Sequence, residues 1–143
     1  MKKRLGLIFA AIIFVIPVWA KAADVDLPVP IQEYNNIRYY SMGVSVDERR
    51  NLPQLYPFKL IFATDGGHML SGAEVTVTAG GKTVFRGCAD NGPWLIIDLP
   101  PGTYDIEAVQ EGKPRSVKGV VIAAGKKRTV TVRWKTAEVG MGL

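Results

Sequence analysis

From Pro57 to Lys135 apolar and polar residues alternate with a period of two, in short runs broken by Gly, Pro and Asp. That period sends successive side chains to opposite faces of an extended chain, and the spacing of the breaks predicts an antiparallel β-sandwich. Seven strands follow. Phe58, Leu60 and Phe62 share one face of the first, and Val75 and Val77 one face of the second. Gly80-Gly81 makes a two-residue hairpin into Lys82 to Arg86, the third strand. The fourth, Trp94 to Leu99, is apolar on both faces. Pro100-Pro101-Gly102-Thr103 then predicts a type II turn, with Pro101 fixing φ and Gly102 supplying a positive φ. Tyr104, Ile106 and Ala108 face in on the fifth strand, against Asp105 and Glu107. Glu111-Gly112 and Ala124-Gly125 are the last two hairpin turns, bounding strands from Arg115 to Ala123 and from Lys127 to Trp134.

The segment before this domain lacks a period. Residues 23–56 read as an irregular arm, extended at Pro28 and Pro30, with one short helix. Ser45 followed by Glu48 has capping-box spacing, Asp47 and Glu48 suit the positive first turn, and Pro53 ends the helix. Residues 136–143, with Gly140 and Gly142, read as a flexible tail.

If Leu95, Ile97 and Leu99 face the core, Trp94 and Ile96 face outward, and a bare Trp and Ile on a sheet make an exposed patch that needs a cover. Two occupants fit. The arm around Tyr39, Tyr40, Val44 and Val46 folds back over it, or Trp94 belongs to a partner-binding face.

The formal charge of +5 suggests nucleic acid until the charges are placed. Lys2, Lys3 and Arg4 precede an apolar run from Leu5 to Ala20, and Ala20-Lys21-Ala22 has the small-x-small form of a signal-peptidase site. Residues 1–22 are therefore expected to be a signal peptide, cleaved near Ala22. Its loss takes the basic count from 18 to 14 against 13 acids, leaving +1, and the argument for nucleic acid goes with it. An uncleaved anchor is the competing reading, but the run is shorter than the roughly 20 residues a span needs, and Pro17 interrupts it. The mature chain is expected to be periplasmic or secreted.

One His and one Cys cannot build a multi-His site, a Cys cage or a disulfide framework. Cys88 is expected to be a small, partly buried hydrophobe, with no neighbouring cation to activate it. His68 with Met69, Asp65 and Met42 falls short of the soft ligands that copper sites gather. Ser41, Ser45, Ser71 and Ser116 lie in no nucleophile-elbow sequence. Asp47 and Glu48, about 100° apart on a helix, are not an acid pair for glycoside chemistry. No enzyme, cofactor or metal is expected. The polar connection from Gly87 to Pro93 lies where binding loops of a sandwich cluster, which makes Cys88, Asp90 and Asn91 candidate binding residues beside Trp94, Tyr39 and Tyr40. Lys126, Lys127 and Arg128 make a basic hairpin end facing solvent or an anionic surface.

Leu99-Pro100-Pro101-Gly102-Thr103-Tyr104 with its alternating strand, preceded by Phe58 to Ala63 and Ala73 to Val77, resembles the carboxypeptidase regulatory-like domain. The stretch Met42 to Arg49 before the first strand is similar to small exported bacterial proteins that carry this domain alone. The resemblance implies a seven-stranded, transthyretin-like (immunoglobulin-like) Greek-key sandwich over residues 57–135, without catalytic residues, used to support or bind other molecules. The expected function is an exported, non-catalytic binding or scaffolding module. Its partner would be another envelope protein or a cell-surface component, with no nucleic acid, no stable membrane span after cleavage, and a monomeric or weakly dimeric state. The alternatives are a periplasmic metal-handling protein and a hydrolase with an unrecognised site.

Overall fold

The computed structural model describes residues 27–139; the expected signal peptide and residues 140–143 of the expected tail lie outside them. The described chain is all-β, with nine strands in two sheets and one short helix. The first sheet contains β1 (Gln32–Tyr34), β2 (Ile37–Met42), β6 (Trp94–Ile97), β3 (Phe58–Thr64) and β9 (Arg128–Trp134), in that spatial order. The second has the order β5 (Lys82–Cys88), β4 (Glu74–Ala79), β7 (Gly102–Gln110) and β8 (Lys113–Ile122).

All seven strands expected from the alternating pattern are present as β3 to β9, and the arm adds two more. The arm is therefore not irregular throughout. Asn35 and Asn36 both take positive φ, 52° and 66°, which closes a tight hairpin between β1 and β2 with the twist that antiparallel strands require. β2 then pairs with β6, matching Tyr40 to Ile96 and Met42 to Trp94.

Pairing is not antiparallel throughout, either. β3 and β9 run parallel over seven residue pairs, from Phe58 opposite Arg128 to Thr64 opposite Trp134. Such a pair needs a long connection rather than a hairpin, and the strands β4 to β8 supply it; β8 and β9 lie in different sheets, so Ala124-Gly125 is a crossing between layers and not the expected hairpin turn.

The turn before β7 also differs from expectation. Gly102 is not among the residues with positive φ, and it pairs with Ile122 as the first residue of its strand. Space rather than backbone conformation favours glycine there. A Cβ would lie 3.3 Å from the Tyr104 hydroxyl, which folds back to donate a 2.6 Å hydrogen bond to the Pro100 carbonyl.

Between the sheets lies one core. Phe58, Leu60, Phe62, Leu95, Ile97, Val132 and Trp134 of the first sheet meet Val75, Val77, Phe85, Tyr104, Ile106, Ala108 and Ile122 of the second. The period of two puts them there, and removing that much apolar surface from water is the main force holding the layers together.

The helix α1 (Val46–Asn51) starts where expected. Ser45 Oγ accepts from the Glu48 amide at 3.1 Å, but the Glu48 carboxylate reaches past the cap to the Gly43 amide at 3.0 Å. After β9, residues 136–138 of the expected flexible tail form a 3₁₀ turn held to the sandwich. The Asp65 carboxylate accepts from the Thr136 amide and hydroxyl at 3.2 and 3.0 Å, Arg115 pairs with Glu138, and Val139 is buried.

Candidate functional site

The six candidate binding residues fall on two faces, because adjacent residues of β2 point in opposite directions. Tyr39 enters the main core, where its ring meets Phe85 edge-on with centroids 4.8 Å apart. Tyr40 lies on the other face of the first sheet, with Met42, Ile96 and Trp94.

Tyr39 reaches one end of a shallow cleft of about 350 Å³ that also holds Glu74, Thr76, Arg86 and Cys88. Cys88 ends β5 opposite Glu74, with Sγ 3.8 Å from the Gly72 carbonyl. Burial pushes the thiol pKa up, and the Asp90 and Glu74 carboxylates push it further. The thiol therefore keeps its proton at neutral pH, the reverse of the environment that activates a cysteine. Tyr39 is shifted the same way, by burial first and then by Asp90 and Cys88. This cleft can accept and donate hydrogen bonds to a small ligand, and the carboxylates beside the thiol disfavour its ionisation.

Beyond Cys88 the chain is tied to its surroundings. The Asn91 amide donates to Ser41 Oγ at 3.0 Å, and that buried hydroxyl donates to the Gly92 carbonyl at 3.2 Å. The Phe62 amide donates to the Pro93 carbonyl at 2.9 Å. Gly92 takes a φ of 145°, and a Cβ there would overlap the Met42 carbonyl. Asn91 and Gly92 thus anchor the loop against β2, while Asp90 stays exposed.

The outer face of the first sheet is covered by the arm. Leu27 and Val29 before β1, and Leu52, Leu55 and Tyr56 after α1, pack on Tyr40, Met42 and Ile96. The Tyr40 hydroxyl pins this cover by donating to the Pro53 carbonyl at 2.8 Å and accepting from the Leu55 amide at 3.0 Å. Val44 and Val46, expected in the cover, are exposed instead, because the chain leaves the sheet at Gly43 to begin the helix. Trp94 is half-buried at the margin, with the Lys59 ammonium 4.0 Å above its ring centroid and its buried Nε1 without a protein partner.

Beside this cover lies a second cleft, of about 300 Å³, which the sequence pattern did not assemble. Leu55, Tyr56 and Pro57 line it from the arm, and Gly125, Lys126 and Lys127 from the turn between β8 and β9. The Arg128 amide donates to the Pro57 carbonyl at 2.8 Å and fixes the turn against the arm. Lys59 has a lowered pKa, first from burial and then from the neighbouring Lys127 ammonium.

His68 is exposed in the connection from β3 to β4, its amide donating to Thr64 Oγ1 at 3.1 Å. Asp65 is engaged by Thr136, and Met42 is buried while Met69 is exposed. Among the described residues, no three His, Cys, Asp or Glu side chains converge as a metal site, and no helix is long and apolar enough to cross a membrane.

These features define a two-layer β-sandwich with a covered outer face and shallow polar and basic clefts. Comparison with protein-family models and with curated proteins finds no match to the chain.

Proposed function

We propose that this chain is an exported, non-catalytic β-sandwich module that binds or scaffolds another component of the bacterial envelope. The observation that carries the reading is how its reactive side chains are engaged. The Cys88 thiol is held protonated beside two carboxylates, and the Ser41 hydroxyl is spent on Asn91 and Gly92. The Ser41 bonds tie the loop to β2, which supports a structural role for these groups. The basic and apolar character of the leader supports export, and the resemblance to the carboxypeptidase regulatory-like domain supports a Greek-key, transthyretin-like topology and an accessory role.

The test is crosslinking in intact cells followed by recovery of the protein from the envelope fraction. One envelope component should dominate the crosslinked products, and Cys88→Ser and His68→Ala should each leave that product unchanged. Loss of the product in either variant, or stoichiometric copper, nickel or zinc in protein purified without an affinity tag, overturns the reading in favour of redox or metal chemistry.

A further inference from the structure

The register of the two sheets brings the cations of distant segments to one end of the sandwich. Parallel pairing of β3 with β9 sets Phe58 opposite Arg128, so Lys59 lies beside the β8–β9 turn that carries Lys126 and Lys127. β2 starts at this end with Arg38, and the turn from β4 to β5 adds Lys82. Glu33, opposite Arg38, and Asp98 are carboxylates at the same level, and Asp105, opposite Thr78, lies one residue from the Ala79–Lys82 pair.

None of these six cations forms an ion pair within 4.0 Å; among the described residues the one salt bridge is Arg115 with Glu138, at the other end. Burial and the Lys127 ammonium both weigh against the charged form of Lys59, which the Trp94 ring 4.0 Å from its ammonium compensates only in part. An arrangement that costs energy in the isolated chain becomes favourable when an anion joins it.

The neighbouring surface says which anion. The cleft beside Lys126 and Lys127 is lined by half-buried Leu55, Tyr56 and Pro57, and Val121, Ala123 and Ala124 are exposed where β8 enters the turn. Cations around an apolar and aromatic patch match the boundary between headgroups and acyl chains. The two cations that line the cleft are lysines, whose flexible stems adapt to a diffuse layer of phosphates; paired carboxylates of an acidic protein are better met by the fixed fork of arginine.

We propose that this end of the sandwich docks the protein on an anionic phospholipid surface, with Lys126 and Lys127 toward the phosphates and Leu55, Tyr56 and Pro57 against the acyl boundary. The proposal rests on the functional reading above only in that the protein must reach the envelope.

Co-sedimentation of the purified protein with vesicles tests it. Vesicles of phosphatidylcholine with one third phosphatidylglycerol should bind the protein at least tenfold more tightly than phosphatidylcholine alone, and binding should fall steeply with salt. The double variant Lys126→Glu/Lys127→Glu should lose that preference, at roughly fivefold or more per lysine. Lys113→Glu/Lys135→Glu, which makes the same charge change at exposed positions of the opposite end, should retain it. Equal binding to neutral vesicles, or equal losses in the two double variants, overturns the proposal. So does competition by polyglutamate as strong as that by anionic vesicles, which would make an acidic polypeptide the partner, or by millimolar inorganic phosphate, which would make the site one for the free ion. If vesicle binding fails while crosslinking still captures an envelope protein, this docking surface falls and the binding-module reading stands.

Discussion

Individual residues in this chain are decided by close approaches that the one-dimensional pattern does not reveal. Gly92 and Gly67 illustrate the difference. Both have positive φ, 145° and 90°, but a Cβ on Gly67 meets open space, whereas one on Gly92 overlaps the Met42 carbonyl. Replacing Gly67 by Ala should cost about 1 kcal/mol, the price of left-handed backbone alone. Gly92→Ala should cost about 3 kcal/mol or more, because either β2 must move or the loop must leave Ser41. Urea unfolding midpoints of the two variants check this, and similar values would mean that the loop is not fixed against β2. Gly102 follows the same logic. Its place in a Pro-Pro-Gly sequence suggests a turn glycine, yet its φ is not positive and what a side chain there would meet is a tight contact with the Tyr104 ring. The two explanations look identical in sequence and differ only once the tyrosine is placed.

At the scale of elements, the least expected part is the arm, whose second strand lies inside a sheet between β1 and β6. Ile37 and Tyr39 fill the main core while Tyr40 and Met42 carry the outer cover. The cover depends on the Tyr40 hydroxyl, which bonds both Pro53 and Leu55. Tyr40→Phe should therefore destabilise the protein by about 2 kcal/mol, since it strands a partly buried amide and carbonyl. The loss should be local, and hydrogen exchange should show it as reduced protection of the Leu55 amide with the β4 and β7 amides unchanged. Uniform loss of protection would mean that the cover and the core unfold as one unit. This arrangement also explains what was legible in the sequence. Strands β3 to β5 and β7 to β9 could be read because one face of each meets the core, and β6, apolar on both faces, because Gly92-Pro93 and Pro100-Pro101 bracket it. β2 could not, because a strand buried on both faces loses its alternation, and its Asn35-Asn36 turn lacks the glycine that usually marks such hairpins. The parallel register of β3 with β9 depends on how distant segments dock, so Lys126 and Lys127 were visible as a basic turn, but their meeting with Lys59 and Tyr56 was not.

For the whole molecule, the ionisable groups divide by depth, and that division sets how stability responds to pH. Burial raises the pKa of Tyr39, Tyr40, Tyr56 and Tyr104, and burial with nearby carboxylates raises that of Cys88. A raised value means that the folded chain holds the proton more tightly than the unfolded chain. The associated stability is complete below the unfolded values, about 8.5 for the thiol and 10 for the phenols, and is lost as pH rises through the folded ones. Asp65 and Glu138 are shifted the other way, by hydrogen bonds from Thr136 and from the Lys135 amide with Arg115 close by. Their contribution is present above the unfolded carboxylate range near pH 4 and disappears as pH falls through the depressed values. Both carboxylates sit at the surface, where solvent and salt weaken their interactions, whereas Tyr40 and Tyr104 are anchored in packed layers. Stability should be flat from about pH 5 to about pH 8, fall gently on the acid side, and fall steeply above about pH 10. Urea midpoints measured from pH 3 to pH 11 in 0.15 M salt would show that asymmetry. A steeper acid limb would instead mean that the 3₁₀ turn held by Asp65 and Glu138, rather than the tyrosine-bearing core and cover, governs unfolding.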